Sequence, residues 1–204
     1  MSSETGSRPV FYYDLYSPYA YLAAMRVDEA LPVAPRWEPI FFGGVLREIG
    51  RTPWSLRPGE REQGQQEVER RARERGLPEV RWPPGWPAAS YDLRPIRAVL
   101  WATREDERAG KALACSLYER VFAEGRPLNE PGTLRESVAA CGLEVEALEA
   151  AAEQEEAKAE LRAKTDEAIA RGLTGIPTIA VGDVLYWGDD RLEEAADAIG
   201  RAGR

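Results

Sequence analysis

Residues 10–22 read VFYYDLYSPYAYL, and the reading of this stretch decides the fold. Its first part, residues 10–15 (VFYYDL), is a β-branched and aromatic run of the kind that forms a strand. Ser17-Pro18 ends that run. Proline suits the first helical position, where a missing N–H costs nothing, and serine suits the N-cap before it. Tyr19, Leu22, Ala23, Met25, Arg26 and Ala30 then continue as a half-buried helix. A second strand is expected over residues 36–42 (RWEPIFF), closed by Gly43-Gly44. Strand, helix, strand is the opening of an α/β unit.

The far end of the chain returns to the same character. Residues 178–181 (TIAV) and 184–187 (VLYW) flank Gly182-Asp183, a dipeptide suited to a tight hairpin turn. Asp190-Arg191-Leu192-Glu193 has the spacing of an N-cap and an N3 acid, and opens a last helix with Leu192, Ala195, Ala196 and Ile199 on one face. Between the two ends the periodicity is helical: residues 63–75 ending at Gly76, then 92–103, 109–123, 133–141 and 145–170. Thr133 and Glu136 stand at capping-box spacing just after Pro131-Gly132, and Gly142 ends that helix. The Ala/Glu-rich 145–170 segment keeps an apolar stripe (Leu148, Ala151, Ala152, Leu161, Ile169) and predicts one long amphipathic helix. Residues 80–87 (VRWPPGWP) form a proline- and tryptophan-rich loop. The order is therefore βαβ, a block of helices, then ββα, in 204 residues without an internal repeat.

Composition removes several function classes. The net charge of -8 argues against a nucleic-acid partner, which is held through basic patches. The Arg-rich stretch 57–81 interleaves Glu60, Glu62, Glu67, Glu69, Glu74 and Glu79 with its arginines, and predicts a solvated helix face. The chain has no histidine, so Ser-His-Asp and Cys-His arrangements and histidine metal sites are ruled out. Two isolated cysteines, Cys115 and Cys141, make neither a CxxC nor an all-cysteine zinc site, so no metal is expected. Cys115 sits in the apolar pattern of Leu113, Ala114, Leu117, Tyr118, Val121 and Phe122, as a buried structural thiol would. No run approaches a membrane span, and MSSETGSRP carries neither a basic nor an apolar leader region. These features give the expectation of a reducing cytoplasm and no membrane.

Three junctions remain for chemistry, each with a plainer reading. Ser17, between strand and helix, can cap the helix or donate a hydrogen bond to an anion beside the helix start. Ile176-Pro177, between helix and strand, is an ordinary turn proline or a cis bond exposing the Ile176 backbone to an extended ligand. Trp187-Gly188-Asp189-Asp190-Arg191 is a plain N-cap acid, or a junction whose backbone amides hold a carboxylate while the Asp190 carboxylate holds an ammonium. Trp82 and Trp86 either pack the lobes or offer a flat aromatic surface.

Taken in order, Ser17-Pro18-Tyr19, Ile176-Pro177-Thr178 and Trp187-Gly188-Asp189-Asp190-Arg191, together with Phe11-Tyr12-Tyr13-Asp14 and Gly43-Gly44, resemble the 2-hydroxychromene-2-carboxylate isomerase family. That family is close to the kappa-class glutathione transferases and to DsbA-like thioredoxin folds. The resemblance covers nearly the whole chain. It implies a thioredoxin-like domain (residues 8–48 and 173–204) with an all-helical domain inserted (49–172), commonly as a homodimer. It implies glutathione, or another low-molecular-weight thiol, lying across the thioredoxin face. Ser17 would contact its sulfur, Ile176 beside a cis-Pro177 would pair with its cysteinyl backbone, and Asp189 and Asp190 would take the γ-glutamyl end. Tyr19, Arg51, Trp82 and Trp86 would face a small-molecule electrophile. In that family the thiolate adds reversibly to a conjugated enone, the adduct rotates, and elimination gives the isomer. Two departures are visible. Where the family often has Asn followed by a basic residue, this chain has Arg51-Thr52-Pro53-Trp54, and Asp189 stands where kappa-class transferases usually have Ser. Two other readings stay open. One is a DsbA-like thiol-disulfide oxidoreductase, which would need a cysteine near Ser17. The other is a non-catalytic thioredoxin-fold protein that binds a thiol or peptide.

Overall fold

In the computed structural model, which describes residues 8–202, strand β1 (Val10–Tyr13) lies inside a four-stranded sheet. It pairs in parallel with β2 (Arg36–Pro39) and antiparallel with β3 (Thr178–Val181), and β3 forms a hairpin with β4 (Val184–Trp187). The order is β2-β1-β3-β4. At the hairpin tip Gly182 takes φ +58, a left-handed conformation that glycine adopts without steric cost. Residues 1–7, which carry most of the N-terminal segment read for a leader, lie outside the described residues, as do 203–204.

Side chains alternate across β1, and the two faces build two cores. Phe11 and Tyr13 join Trp37 and Ile179 in the larger one, which continues into the helical block through Tyr118, Phe122 and Leu100. Val10 and Tyr12 join Ile40, Val45, Ala168, Leu173 and Ala180 on the opposite face. Helices α1 (Pro18–Ala24) and α2 (Val27–Ala30) follow β1, and α3 (Phe42–Glu48) follows β2. After a 3-10 turn at Trp54–Leu56 come α4 (Arg61–Glu74), α5 (Arg94–Glu105) and α6 (Glu107–Tyr118), which runs into a π turn at Glu119–Ala123. Then follow α7 (Pro131–Ala140), α8 (Val145–Glu153), α9 (Glu155–Ala170) and, after the hairpin, α10 (Leu192–Ala202). This is a thioredoxin-like α/β sheet with a helical insertion between β2 and β3. The division at 48/49 and 172/173 remains a proposal. Helix α9 bridges the two parts, because Ala168 belongs to the sheet's back core while Leu161 belongs to the larger one.

Several expected boundaries are corrected. The strand expected over 36–42 ends at Pro39, because the Phe41 amide turns to Thr165 Oγ1 (3.0 Å) and the Phe42 amide to Asp14 Oδ2 (2.9 Å). Gly43-Gly44 does not close that strand; both glycines lie inside α3, where a Cβ on Gly43 would meet the Phe41 ring at 2.5 Å. The half-buried helix after Ser17 divides into α1 and α2 at Met25-Arg26. Thr133 is not an N-cap. Pro131 takes the first helical position, Glu130 the cap, and buried Thr133 donates to the Pro127 carbonyl (2.9 Å). The single helix over 145–170 is two, separated by Gln154 in an extended conformation (φ -67, ψ 149). The stripe explains the break. Leu148, Ala151 and Ala152 are buried at helical spacing, but the next turn offers Glu155 and Glu156, and burial resumes only at Ala157 and Leu161. A five-residue step from Ala152 to Ala157 rotates the apolar face by about 140° on a straight helix. The last helix starts at Leu192, one residue later than an Asp190 cap requires.

Candidate functional site

Ser17 occupies the turn from β1 into α1, with φ -90 and ψ 115. Its Oγ accepts from the Ala20 amide (3.2 Å), so it is the cap the sequence allows. That bond uses a lone pair and leaves the hydroxyl hydrogen to donate elsewhere. The turn is held from below. The Ser17 amide donates to the Asp14 carbonyl (3.1 Å), Tyr118 donates to the same carbonyl (3.1 Å), and Trp86 Nε1 donates to the Tyr16 carbonyl (3.3 Å).

Ser17 lies where two hollows meet. One, of about 290 Å³, is apolar and is walled by Phe41, Phe42, Trp54, Trp86, Pro87 and Tyr91. The other, of about 330 Å³, is polar and is walled by Tyr19, Arg51, Arg57, Arg71, Thr174 and the Trp187–Asp190 junction. Ser17, Phe42, Leu46, Pro53, Trp54 and Ile176 line both. Trp54 seats its ring on α4 at Gly64, where a Cβ would come within 2.2 Å of it, and Trp187 lies equally close over Gly175. Arg51 places its guanidinium over the Trp187 ring, 5.3 Å from the centroid.

Ile176 is buried and precedes a cis peptide bond to Pro177. Neither its N–H nor its C=O has a hydrogen-bond partner among the described residues. The amides of Asp189 and Asp190 are likewise without an acceptor among the described residues. Unpaired backbone groups at a cavity wall are sites for a ligand's own amides and carboxylates.

Asp189 is 1% exposed and engaged within the protein. Arg71 approaches one carboxylate oxygen at 2.8 Å and Arg75 makes a close ion pair with the other. Arg71 is shared with Glu67 (2.6 Å) and Asp190 (3.4 Å), and lies 5.6 Å over the Tyr19 ring. The stretch read as a solvated helix face is corrected here: Arg71 and Arg75 turn inward. The sequence carried that signal, since Val68, Arg71, Ala72 and Arg75 follow i, i+3, i+4, i+7 and share the buried face. Asp190 remains open, its side chain 58% exposed.

The apolar hollow has one polar corner. Asp14 is buried, and its carboxylate accepts from the Tyr16 amide (3.0 Å), the Phe42 amide (2.9 Å) and the Tyr91 hydroxyl (2.9 Å). Burial pushes the Asp14 carboxyl above its ordinary value, against the pull of these donors. Burial also lifts the Tyr91 phenol well above 10, with Asp14 adding to the effect. Tyr16 is pushed up to about 12 by burial, and its hydroxyl meets Ser90. Asp14, Tyr91 and Phe41 were not foreseen as site residues; tertiary packing alone brings residues 14, 41 and 91 together.

The expected site residues are therefore divided. Ser17, Ile176, Asp189, Asp190, Tyr19 and Arg51 converge on the polar hollow, and Trp86, 1% exposed, forms a wall of the apolar one. Trp82 is corrected. It lines neither hollow, packs 4.5 Å from Trp86, and donates Nε1 to Glu69 (2.7 Å). Pro177 supports Ile176 and accepts from the Gly188 amide (2.9 Å), which ties the β3 entry to the β4 exit. Cys115 and Cys141 are both free and partly buried, on helix α6 and at the end of α7. Burial pushes Cys115 up to about 11. Among the described residues no group of His, Cys, Asp and Glu could hold a metal ion, and no helix is long and apolar enough to cross a membrane.

Comparison with known proteins agrees with this architecture. A 2-hydroxychromene-2-carboxylate isomerase of Pseudomonas putida is 28% identical, with 95% of each chain covered. Glutathione S-transferase kappa 2 of Caenorhabditis elegans is 27% identical over 93% of this chain and 90% of its own. A solved structure of a 2-hydroxychromene-2-carboxylate isomerase superposes with a TM-score of 0.85 at 23% identity, covering 96% of both chains. The model of the DSBA-like thioredoxin domain matches residues 10–200. With that match spanning nearly its full length, the chain belongs to the DSBA-like thioredoxin domain family.

Proposed function

We propose that this protein is a glutathione-dependent isomerase or transferase acting on an aromatic or conjugated electrophile. The observation that carries the reading is the place of Ser17 and Ile176, on the seam between a polar hollow and an apolar one. The donor set fits glutathione. The Ile176 N–H and C=O pair with its cysteinyl backbone, as an added strand would. The Asp189 and Asp190 amides, with Arg51 and Arg57 on the same wall, receive its carboxylates, and the open Asp190 carboxylate receives the γ-glutamyl ammonium. Asp189, already neutralised by two arginines, holds the junction in shape.

Bound there, the thiol supplies the nucleophile that a chain without histidine lacks. Ser17 donates its free hydroxyl hydrogen toward the sulfur and favours the thiolate. Phe41, Trp54, Trp86 and Tyr91 exclude water around the electrophile and orient it against the seam. Thiol-disulfide exchange finds no cysteine in Ser17-Pro18-Tyr19-Ala20. The same reading has the protein act as a homodimer in a reducing cytoplasm, without membrane or nucleic acid.

Isothermal titration with reduced glutathione tests binding, and no heat at millimolar ligand sinks the reading. Turnover of hydroxychromene- and quinone-type electrophiles with and without thiol separates an enzyme from a binding protein.

A further inference from the structure

The hollow between α3, α5 and α9 has no part in the proposed reaction. Its volume is about 520 Å³, larger than either half of the candidate site. Arg97 on α5 lines it and is only 9% exposed. Its Nε is buried without a hydrogen-bond partner, and its ionic neighbour Glu153 stands at 4.0 Å, the outer limit of an ion pair. Burying a guanidinium without an acceptor is costly unless a ligand supplies one.

Arg47 on α3 and Arg162 on α9 line the same hollow, and neither guanidinium makes an ion pair or hydrogen bond among the described residues. Lys158 adds a fourth cation, held by Glu155 at 2.7 Å. Glu48 and Asp166 also line the space, and Glu153 and Glu155 stand near the cations, but only Lys158 among the four is closely paired. Phe41, Leu93, Leu161 and Ile169 supply apolar walls.

We propose that this hollow is a second ligand site, taking an organic carboxylate with a hydrophobic body. The planar fork of Arg97 matches a carboxylate, with Arg47 and Arg162 adding charge at the rim. The apolar walls and the volume suit a ring or short chain behind it, more than a bare inorganic anion requires.

The test uses 1-naphthoate as probe, titrated calorimetrically into the full chain. Wild type is expected to bind one equivalent, and the neutral 1-naphthylmethanol to bind about tenfold or more weakly. Arg97→Met, close in volume and without charge, is expected to lose about tenfold or more in affinity. The exposed pair Arg47→Gln/Arg162→Gln, which leaves the buried site intact, is expected to weaken binding several-fold. Saturating S-hexylglutathione, which fills both halves of the candidate site, is expected to leave naphthoate binding unchanged. Displacement of naphthoate by S-hexylglutathione overturns the proposal. So does inorganic phosphate binding as tightly as naphthoate. Loss of a dimer in Arg97→Met, with no naphthoate heat in wild type, means that a partner's carboxylate fills the hollow, and also overturns it. Failure of S-hexylglutathione to bind at all counts against the glutathione reading, while the two arginine variants still decide this one.

Discussion

Asp14 and Ser17 are three residues apart and are perturbed in different ways. Asp14 is buried under three donors, and its carboxyl is raised by desolvation. The folded chain therefore holds a proton on Asp14 at a pH where the unfolded chain has released it. Its contribution to stability is fully present below the unfolded value of about 3.9 and is lost as pH rises through the folded value. A carboxyl-carbon NMR titration is expected to place the Asp14 midpoint above about 3.9; a midpoint at or below that contradicts the burial argument. Asp14→Asn is expected to cost about 1–3 kcal/mol in urea unfolding, because an amide turns a donor toward either the Tyr16 or the Phe42 N–H. Under the proposed function Ser17→Ala removes the hydroxyl that donates to the bound sulfur, and a charge-assisted bond of about 1.5–3 kcal/mol corresponds to a rise of about 1–2 in the bound thiol pKa. Thiolate absorbance against pH reads that rise, and an unchanged titration returns Ser17 to a plain helix cap. Ser17 was legible in the sequence because a strand, a Ser-Pro and a helix follow one another within a few residues. The three-donor cradle of Asp14 was not, since residues 42 and 91 reach it only through packing.

At the scale of elements, the same contrast separates α4 from α8 and α9. The boundaries of α4 follow from its polar face and its closing glycine, and Gly76 takes φ +67 there. The break at Gln154 contains neither proline nor glycine. It shows only as a slip in the spacing of buried residues, which an Ala-rich sequence blurs because alanine suits both faces of a helix. Gln154 is the N-cap of α9 yet makes no side-chain capping bond. Gln154→Ser is expected to stabilise the chain by about 0.5–1 kcal/mol, since serine caps and glutamine does not. A shift of the urea midpoint to higher concentration at constant slope is the expected result. A lower midpoint would mean that α8 and α9 run on as one helix. The misplaced cap at Thr133 teaches a related point: two valid start signals overlapped, and the proline took precedence because its fixed φ suits the first turn.

Across the whole molecule, periodicity located the four strands at the two chain ends and the helical block between them, while the thioredoxin-like fold came from the resemblance and the strand order from the structure. The electrostatic join between those parts was missed. Arg71 on α4 and Arg75 at its C-cap belong to the insertion, and Asp189 belongs to the junction after β4, so one ion cluster spans the two. Asp189→Ala strands the Arg75 guanidinium and leaves Arg71 to Glu67 and Asp190, and is expected to cost about 2–3 kcal/mol, less than a fully buried pair because water reaches the arginines. The same substitution is expected to weaken glutathione binding, as the polar hollow loses its shape. Lost stability with unchanged affinity would show that Asp189 serves the fold alone.

That cluster also sets up a thermodynamic linkage. Asp189 and Asp190 line the hollow proposed for the tripeptide with amides that have no acceptor among the described residues, while the Asp189 carboxylate is clamped by Arg71 and Arg75 at the end of α4. A ligand that orders the junction must then slow the local opening of α4, and whatever loosens α4 must loosen the ligand to the same degree in free energy. Backbone amides of α4, far from any sulfur chemistry, should exchange with deuterium more slowly once glutathione is bound.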